Sequence, residues 1–298
     1  MRRDIEFNTR EGVTLRGWLY LPEDSREDLP CVVVAHGFTA VKEMSLDKYG
    51  EVFSEAGFAV VVYDHRNFGA SDGEPRGEAS PHVQRADYRD AISFAQNLEE
   101  VDASRIGVWG TSYSAGTVVE VAAIDRRVKA VVAQVPVISG YWNVRRLGEE
   151  QAWTDLIAML QEARAAEWAG EPPRRIKVVS DDPSEPRAVP GEKTFNFFNS
   201  YVKAGTAPTW INETTIRTLE YYLEFEPTPF FSRVSPTPLL MIVSTEDTTC
   251  PTDMALEAYE EAHEPKELVF IKGHHYESYI EQFDVTSAAA RDFYLKYL

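Results

Sequence analysis

A chain of 298 residues, 44% of them hydrophobic, is long enough for one large α/β domain or for a core domain with an insertion. Thirty Lys and Arg against 48 Asp and Glu give a formal net charge of −18, which argues against nucleic acid and anionic membranes as partners. The start, Met1-Arg2-Arg3-Asp4-Ile5-Glu6, lacks the apolar stretch of a signal peptide. No run is long and apolar enough to cross a bilayer, and two cysteines, Cys31 and Cys250, make neither a disulfide framework nor a metal site. The expectation is a cytoplasmic protein, monomeric or homodimeric, acting on a small molecule.

Residues 3–8 and 13–21 alternate polar and apolar around Glu11-Gly12, as in an antiparallel hairpin at a sheet edge. Cys31 to Ala35 is a continuous apolar run, the mark of a strand covered on both faces, and His36-Gly37-Phe38-Thr39 closes it. Residues 45–56 read as a helix with Gly57 as its C-cap. Phe58 to Tyr63 is the next buried strand, followed by the polar loop Asp64 to Gly73. A helix over roughly 83–99 precedes the strand Ile106 to Trp109, and a helix from Ala115 to about Ile124 precedes the strand Val128 to Ala133. Strands alternating with helices predict a doubly wound, mostly parallel sheet. The rhythm stops after Pro136. Residues 137–235 are helical and irregular and hold Trp142, Trp153, Trp168 and Trp210, four of the six tryptophans. It resumes with the strand Pro238 to Val243, a helix over 252–262, the strand Leu268 to Ile271 and a helix over about 281–297. The predicted organisation is a core of residues 1–136 and 236–298 with an inserted, mainly helical lid of residues 137–235.

Between strand and helix stands Gly110-Thr111-Ser112-Tyr113-Ser114. A strand, a sharp turn with serine at its apex and a helix make the nucleophile-elbow pattern. Such a turn needs small residues two before and two after the apex. Gly110 and Ser114 meet that need, although the usual fifth residue is glycine. Serine needs a neighbouring base, and the base an orienting acid. In this rhythm the partners belong on loops at the carboxyl ends of later strands, in the chain order serine, acid, histidine. The first strand after the insertion ends in Ser244-Thr245-Glu246-Asp247-Thr248-Thr249-Cys250-Pro251, and the next in Lys272-Gly273-His274-His275-Tyr276. Glu246 and Asp247 compete as the acid, and His274 and His275 as the base.

These motifs together, with His36-Gly37-Phe38 and Asp64-His65-Arg66-Asn67-Phe68-Gly69, resemble the α/β-hydrolase superfamily. The nearest likeness is to lidded dienelactone-hydrolase-like esterases and fungal polyketide acyltransferases. The resemblance implies Ser112 as nucleophile, Asp247 as acid because it precedes Pro251 by the family spacing, and His275 as base. His274 takes the place of a second glycine and a structural role. One oxyanion donor is the backbone N–H of Tyr113; the family's second donor maps to the N–H of Phe38.

Other residues read as structural: His36 as a brace of the oxyanion loop, Asp64 and Arg66 as a loop pair of the family, His65, His82 and His263 as surface or loop residues, Cys250 as a small filler. The lid aromatics Trp142, Phe195, Phe197, Phe198, Trp210, Tyr221 and Tyr222 read first as lid core, with Trp142 the choice for a substrate contact. The sequence carries no metal-ligand cluster, phosphate loop or dinucleotide fingerprint, so no cofactor is expected. The expected activity is carboxylic ester hydrolysis through an acyl-enzyme. Acyl transfer with the same triad, cleavage of amide, thioester or carbon–carbon bonds, and a non-catalytic binding protein are the alternatives.

Overall fold

A computed structural model describes residues 1–23, 27–148 and 150–298. Strands β1 (Arg2–Asn8) and β2 (Thr14–Tyr20) form the hairpin, and only Phe7 of β1 is buried, as suits an edge. There follow β3 (Leu29–Ala35), helix α1 (Leu46–Glu55), β4 (Ala59–Tyr63), α2 (Pro81–Gln96), β5 (Val101–Thr111), α3 (Tyr113–Ile124) and β6 (Val128–Gln134). After a long excursion come β9 (Leu239–Ser244), α9 (Thr252–Glu261), β10 (Lys266–Ile271), a 3₁₀ turn (His275–Tyr279) and α10 (Phe283–Tyr297). The eight strands lie in the order β1-β2-β4-β3-β5-β6-β9-β10. Every pairing is parallel except β1 with β2 and β2 with β4.

The unbroken apolar runs have a simple cause. Alternate side chains of one strand go to opposite faces, and both faces are roofed. Cys31, Val33 and Ala35 join the core under α2, α3 and α9, while Val32 and Val34 join the core under α1 and α10. Ala59, Val61 and Tyr63 divide from Val60 and Val62 in the same way. Each such strand has no polar face, and the sequence shows none.

The excursion from β6 to β9, which pair directly, contains α4 (Gly140–Leu147), α5 (Glu150–Trp168), β7 (Arg175–Ile176), α6 (Glu192–Ala204), β8 (Thr214–Thr215), α7 (Ile216–Leu223) and α8 (Thr228–Phe231). The antiparallel pair β7–β8 has two residues a side, too short to leave a period in the sequence. Phe231 and Val234 already sit in the main core, so the chain rejoins the core at α8.

Candidate active site

Strand β5 hands over to α3 at Ser112, whose backbone is at φ 57° and ψ −118°. This positive-φ conformation costs a non-glycine residue on the order of 1–3 kcal/mol, so the surroundings must impose it. They do so through the backbone. Ser112 N donates to Gln134 O at 2.8 Å, and Ser112 O accepts from Val137 N at 3.0 Å and Ala115 N at 3.1 Å. Gly110 has no substitute, because a Cβ there would stand 2.3 Å from Ser114 O. Ser114 is more than a small residue. Its Oγ accepts from Thr111 N and is placed to donate to Ala35 O, both at 2.9 Å, which ties the turn to β3.

The loop after β9 brings Asp247 to the site. One carboxylate oxygen, Oδ1, accepts from Thr249 N and Cys250 N, each at 2.8 Å. The other, Oδ2, is 2.7 Å from His275 Nδ1. Both residues are buried. Burial pushes the His275 pKa down, but the Asp247 charge outweighs it and holds the imidazole above its ordinary value. Glu246 points elsewhere: it is exposed and lies 3.5 Å from His274 Nε2. His274 caps the 3₁₀ turn that carries His275, its N–H donating to Glu277 Oε2 at 2.9 Å. Ser112 Oγ is not hydrogen-bonded to His275; its polar neighbour is Cys250 Sγ at 3.9 Å. Cys250 thus touches the serine rather than merely filling space. Burial pushes its thiol pKa up, which keeps it neutral.

The loop after β3 faces the elbow. Neither Phe38 N–H nor Tyr113 N–H has a protein acceptor among the described residues. His36 is buried and braces the loop: its Nε2 accepts from His65 N at 3.2 Å, which leaves Nδ1 as the donor to Gly37 O at 3.0 Å. Burial lowers the pKa of His36 and keeps it neutral.

Two expectations need correction here. Asp64 and Arg66 do not pair with each other. Asp64 accepts from Lys42 N and Lys42 Nζ, both at 2.7 Å, and so anchors the far end of the loop after β3. Arg66 instead grips Asp87, through Nε at 2.8 Å, because the loop turns the two side chains to opposite sides. His65 is a loop residue, as read, but not a surface one. It is fully buried among His36, Tyr63 and Tyr88, and burial drives its pKa well down, so a neutral imidazole serves there as an aromatic.

Ser112, His275 and Phe38 open onto one cleft of about 620 Å³. Much of its wall comes from the excursion, including Val144, Trp153, Met159, Phe197 and Tyr222, and is mostly apolar. Trp142 is not among the lining residues. Ser139 caps α4 by accepting from Trp142 N, and this start turns the Trp142 ring outward, 56% exposed, against Tyr141. Trp210 also stays out of the lining; its Nε1 donates to Thr39 O at 2.9 Å and holds the loop after β3.

The sheet order, the helices on both faces and the serine at a strand-to-helix turn define an α/β-hydrolase. The chain belongs to the X-Pro dipeptidyl-peptidase (S15) family, whose model matches residues 11–277. Curated relatives include the thiohydrolase aneE of Aspergillus aculeatus, 33% identical over 91% of this chain and 86% of that protein. The polyketide transferase grgF of a Penicillium species is 30% identical over 91% of this chain and 88% of that protein. Among solved structures, the α/β-hydrolase GrgF from Penicillium sp. sh18 superposes with a TM-score of 0.86 at 28% identity, covering 100% of this chain and 99% of that one. DcsB, solved in complex with a substrate analogue, superposes at 0.87 and 26% identity over the whole of both chains. No helix among the described residues is long and apolar enough to cross a membrane.

Proposed function

We propose that the protein cleaves carboxylic esters and thioesters through an acyl-enzyme on Ser112. The observation that carries this reading is the strained Ser112 sharing one apolar cleft with a His275 that is locked to Asp247 at 2.7 Å. Ser112 attacks the acyl carbon as His275 Nε2 takes its proton. Asp247 fixes the imidazole with Nδ1–H toward itself and stabilises the imidazolium that forms. The oxyanion rests on the N–H groups of Phe38 and Tyr113, which lack other acceptors. His275 returns the proton to the leaving alcohol or thiol, and water then releases the acid. Residues 137–235 act as the lid that shapes the acyl site. Two free cysteines suit a reducing, cytoplasmic setting.

A relative named as a thiohydrolase supports thioesters beside esters. Relatives named as polyketide transferases support a second reading, in which an alcohol or amine replaces water in the last step. The test is turnover of p-nitrophenyl esters and acyl-N-acetylcysteamine thioesters by the wild type and Ser112→Ala, with fluorophosphonate labelling of Ser112. Wild-type turnover by a folded Ser112→Ala protein sinks the acyl-enzyme. Adding acceptor alcohols and finding no acyl product removes the transferase reading.

A further inference from the structure

Among the polar groups lining the cleft that the proposed reaction leaves unused is the Tyr222 hydroxyl on α7. The Tyr222 ring meets Phe38 edge-on at 5.1 Å and stacks on Tyr113 at 5.9 Å, and Phe38 and Tyr113 meet at 5.5 Å, so the three rings form one cluster that includes both residues proposed as oxyanion donors. Its hydroxyl oxygen accepts from Asn143 Nδ2 at 3.1 Å. The same Nδ2 donates to the carbonyl of Thr249 at 3.2 Å. That carbonyl can only accept, and this fixes the amide. Turning the Asn143 amide over would set Oδ1 against Thr249 O, two acceptors face to face. The orientation is kept although it leaves Asn143 Oδ1 buried without a partner. Tyr222 Oη is therefore an acceptor toward Asn143, and its proton must point elsewhere. No acceptor for that proton is found among the described residues, and the side chain lines the cleft. Burial keeps the phenol protonated.

We propose that Tyr222 is a specificity residue: its O–H donates to a keto or hydroxyl oxygen carried by the acyl group close to the scissile carbonyl. This rests on the acyl-enzyme reading for the acyl group's place beside Ser112. A plain alkyl acyl group leaves the phenol proton unpaired in an apolar cleft, whereas an oxygenated one satisfies it. The Asn143–Thr249 pair acts through Tyr222 as a positioning pair that sets the polarity of the hydroxyl.

The test uses the Ser112→Ala protein, which binds without turnover, and two matched ligands: the N-acetylcysteamine thioesters of 3-oxooctanoic and octanoic acid. Adding Tyr222→Phe removes only the hydroxyl and keeps the ring against Phe38 and Tyr113. Calorimetry is expected to find the 3-oxo ligand weakened about tenfold and the octanoyl ligand changed less than about twofold. Equal weakening of both, no weakening of either, or failure of both to bind Ser112→Ala overturns the proposal. Turnover by the protein with Ser112 intact is scored separately. Selective binding without turnover sinks the acyl-enzyme reading and leaves the Tyr222 donor standing.

Discussion

The core and the excursion between β6 and β9 hold their residues in place by different means. Ser112 is fixed by three backbone hydrogen bonds and a glycine that tolerates no Cβ, and Asp247 by two backbone N–H groups. Nothing in this set depends on side-chain packing alone. The excursion is looser. Helix α5 has 19 residues but buries only Leu160 and Ala163. The excursion meets the loop after β3 through an apolar cluster, Ala40, Val41 and Met44 against Phe197 and Phe198, and through polar contacts: Trp210 Nε1 to Thr39 O at 2.9 Å, Thr209 Oγ1 to Glu43 Oε2 at 2.8 Å, and the Tyr201 and Ser45 hydroxyls. A reaction needs positions held to a fraction of an ångström, and backbone ladders give that. Selection among acyl groups needs only a wall of suitable shape, which side-chain packing supplies. Substitutions in the core are thus expected to abolish rate, and those in the excursion to redistribute it among substrates.

The largest effect is expected at Asp247. Asp247→Asn keeps the shape but loses the charge and the right tautomer of His275, and kcat is expected to fall about 10⁴-fold on p-nitrophenyl butyrate with Tm nearly unchanged. A loss under tenfold would end Asp247's assignment as the orienting acid. Gly110→Ala tests the backbone side of the comparison. The new Cβ would lie 2.3 Å from Ser114 O, so either the elbow opens or the strand shifts. We expect destabilisation of about 2–4 kcal/mol by thermal or urea unfolding, with activity lost even in the folded fraction. A stable, active Gly110→Ala protein would show that the elbow is less rigid than its hydrogen bonds imply.

The core is legible in the sequence because its constraints are local. A strand roofed on both faces must be apolar throughout, and an elbow must be lined with small residues, so Cys31 to Ala35 and Gly110 to Ser114 declare themselves. Asp247 and His275 follow from chain order and the family spacing, and the structure brings them to 2.7 Å. What escapes is whatever depends on which way a loop turns. His65 sits in a polar loop yet is fully buried, and Asp64 reaches back to Lys42 rather than forward to Arg66. Cys250 reads as a filler and stands against Ser112, because only the fold shows that the backbone N–H at 250 serves Asp247 and so aims the thiol inward. Tyr222 is one aromatic among many until Asn143 and Thr249 fix the direction of its proton.

A pH profile gives the next effect in size. The base works only when neutral, so kcat/KM falls as pH falls through the His275 pKa. Asp247 holds that pKa above the ordinary histidine value of about 6.5, and the acid limb is expected above that pH, each unit below it costing about tenfold. Asp247→Asn is expected to bring the limb back down. An acid limb at or below the ordinary value in the wild type contradicts the raised imidazole.

In the excursion, Trp153→Ala is expected to act on substrate choice. Trp153 lines the cleft and is held by Tyr141 at 5.3 Å and Arg145 at 4.9 Å. Removing it takes contact area from long acyl chains and none from acetate. In an acyl-length series, kcat/KM for octanoyl esters should fall about 10- to 100-fold while acetyl esters stay within about threefold. A uniform loss across the series would mean that the excursion supports the chemistry itself.

The smallest effect belongs to Trp142, eleven residues earlier and outside the cleft lining. Its sequence position, just past the strand that follows the elbow helix, makes it the natural choice for a substrate contact. The structure puts it outside the lining because Ser139 caps α4 and sets the helix phase, so Val144 faces the cleft while the Trp142 ring faces solvent. A ring this exposed contributes little, and Trp142→Ala is expected to move stability by less than about 0.5 kcal/mol and kcat/KM by less than about twofold at every acyl length. A chain-length-dependent loss at Trp142 would mean that α4 rotates or the excursion closes when substrate binds, bringing the ring into the cleft. A Ser139→Ala variant separates the two. If the cap alone sets the phase, loosening it should let Trp142 affect selectivity without any change in the core.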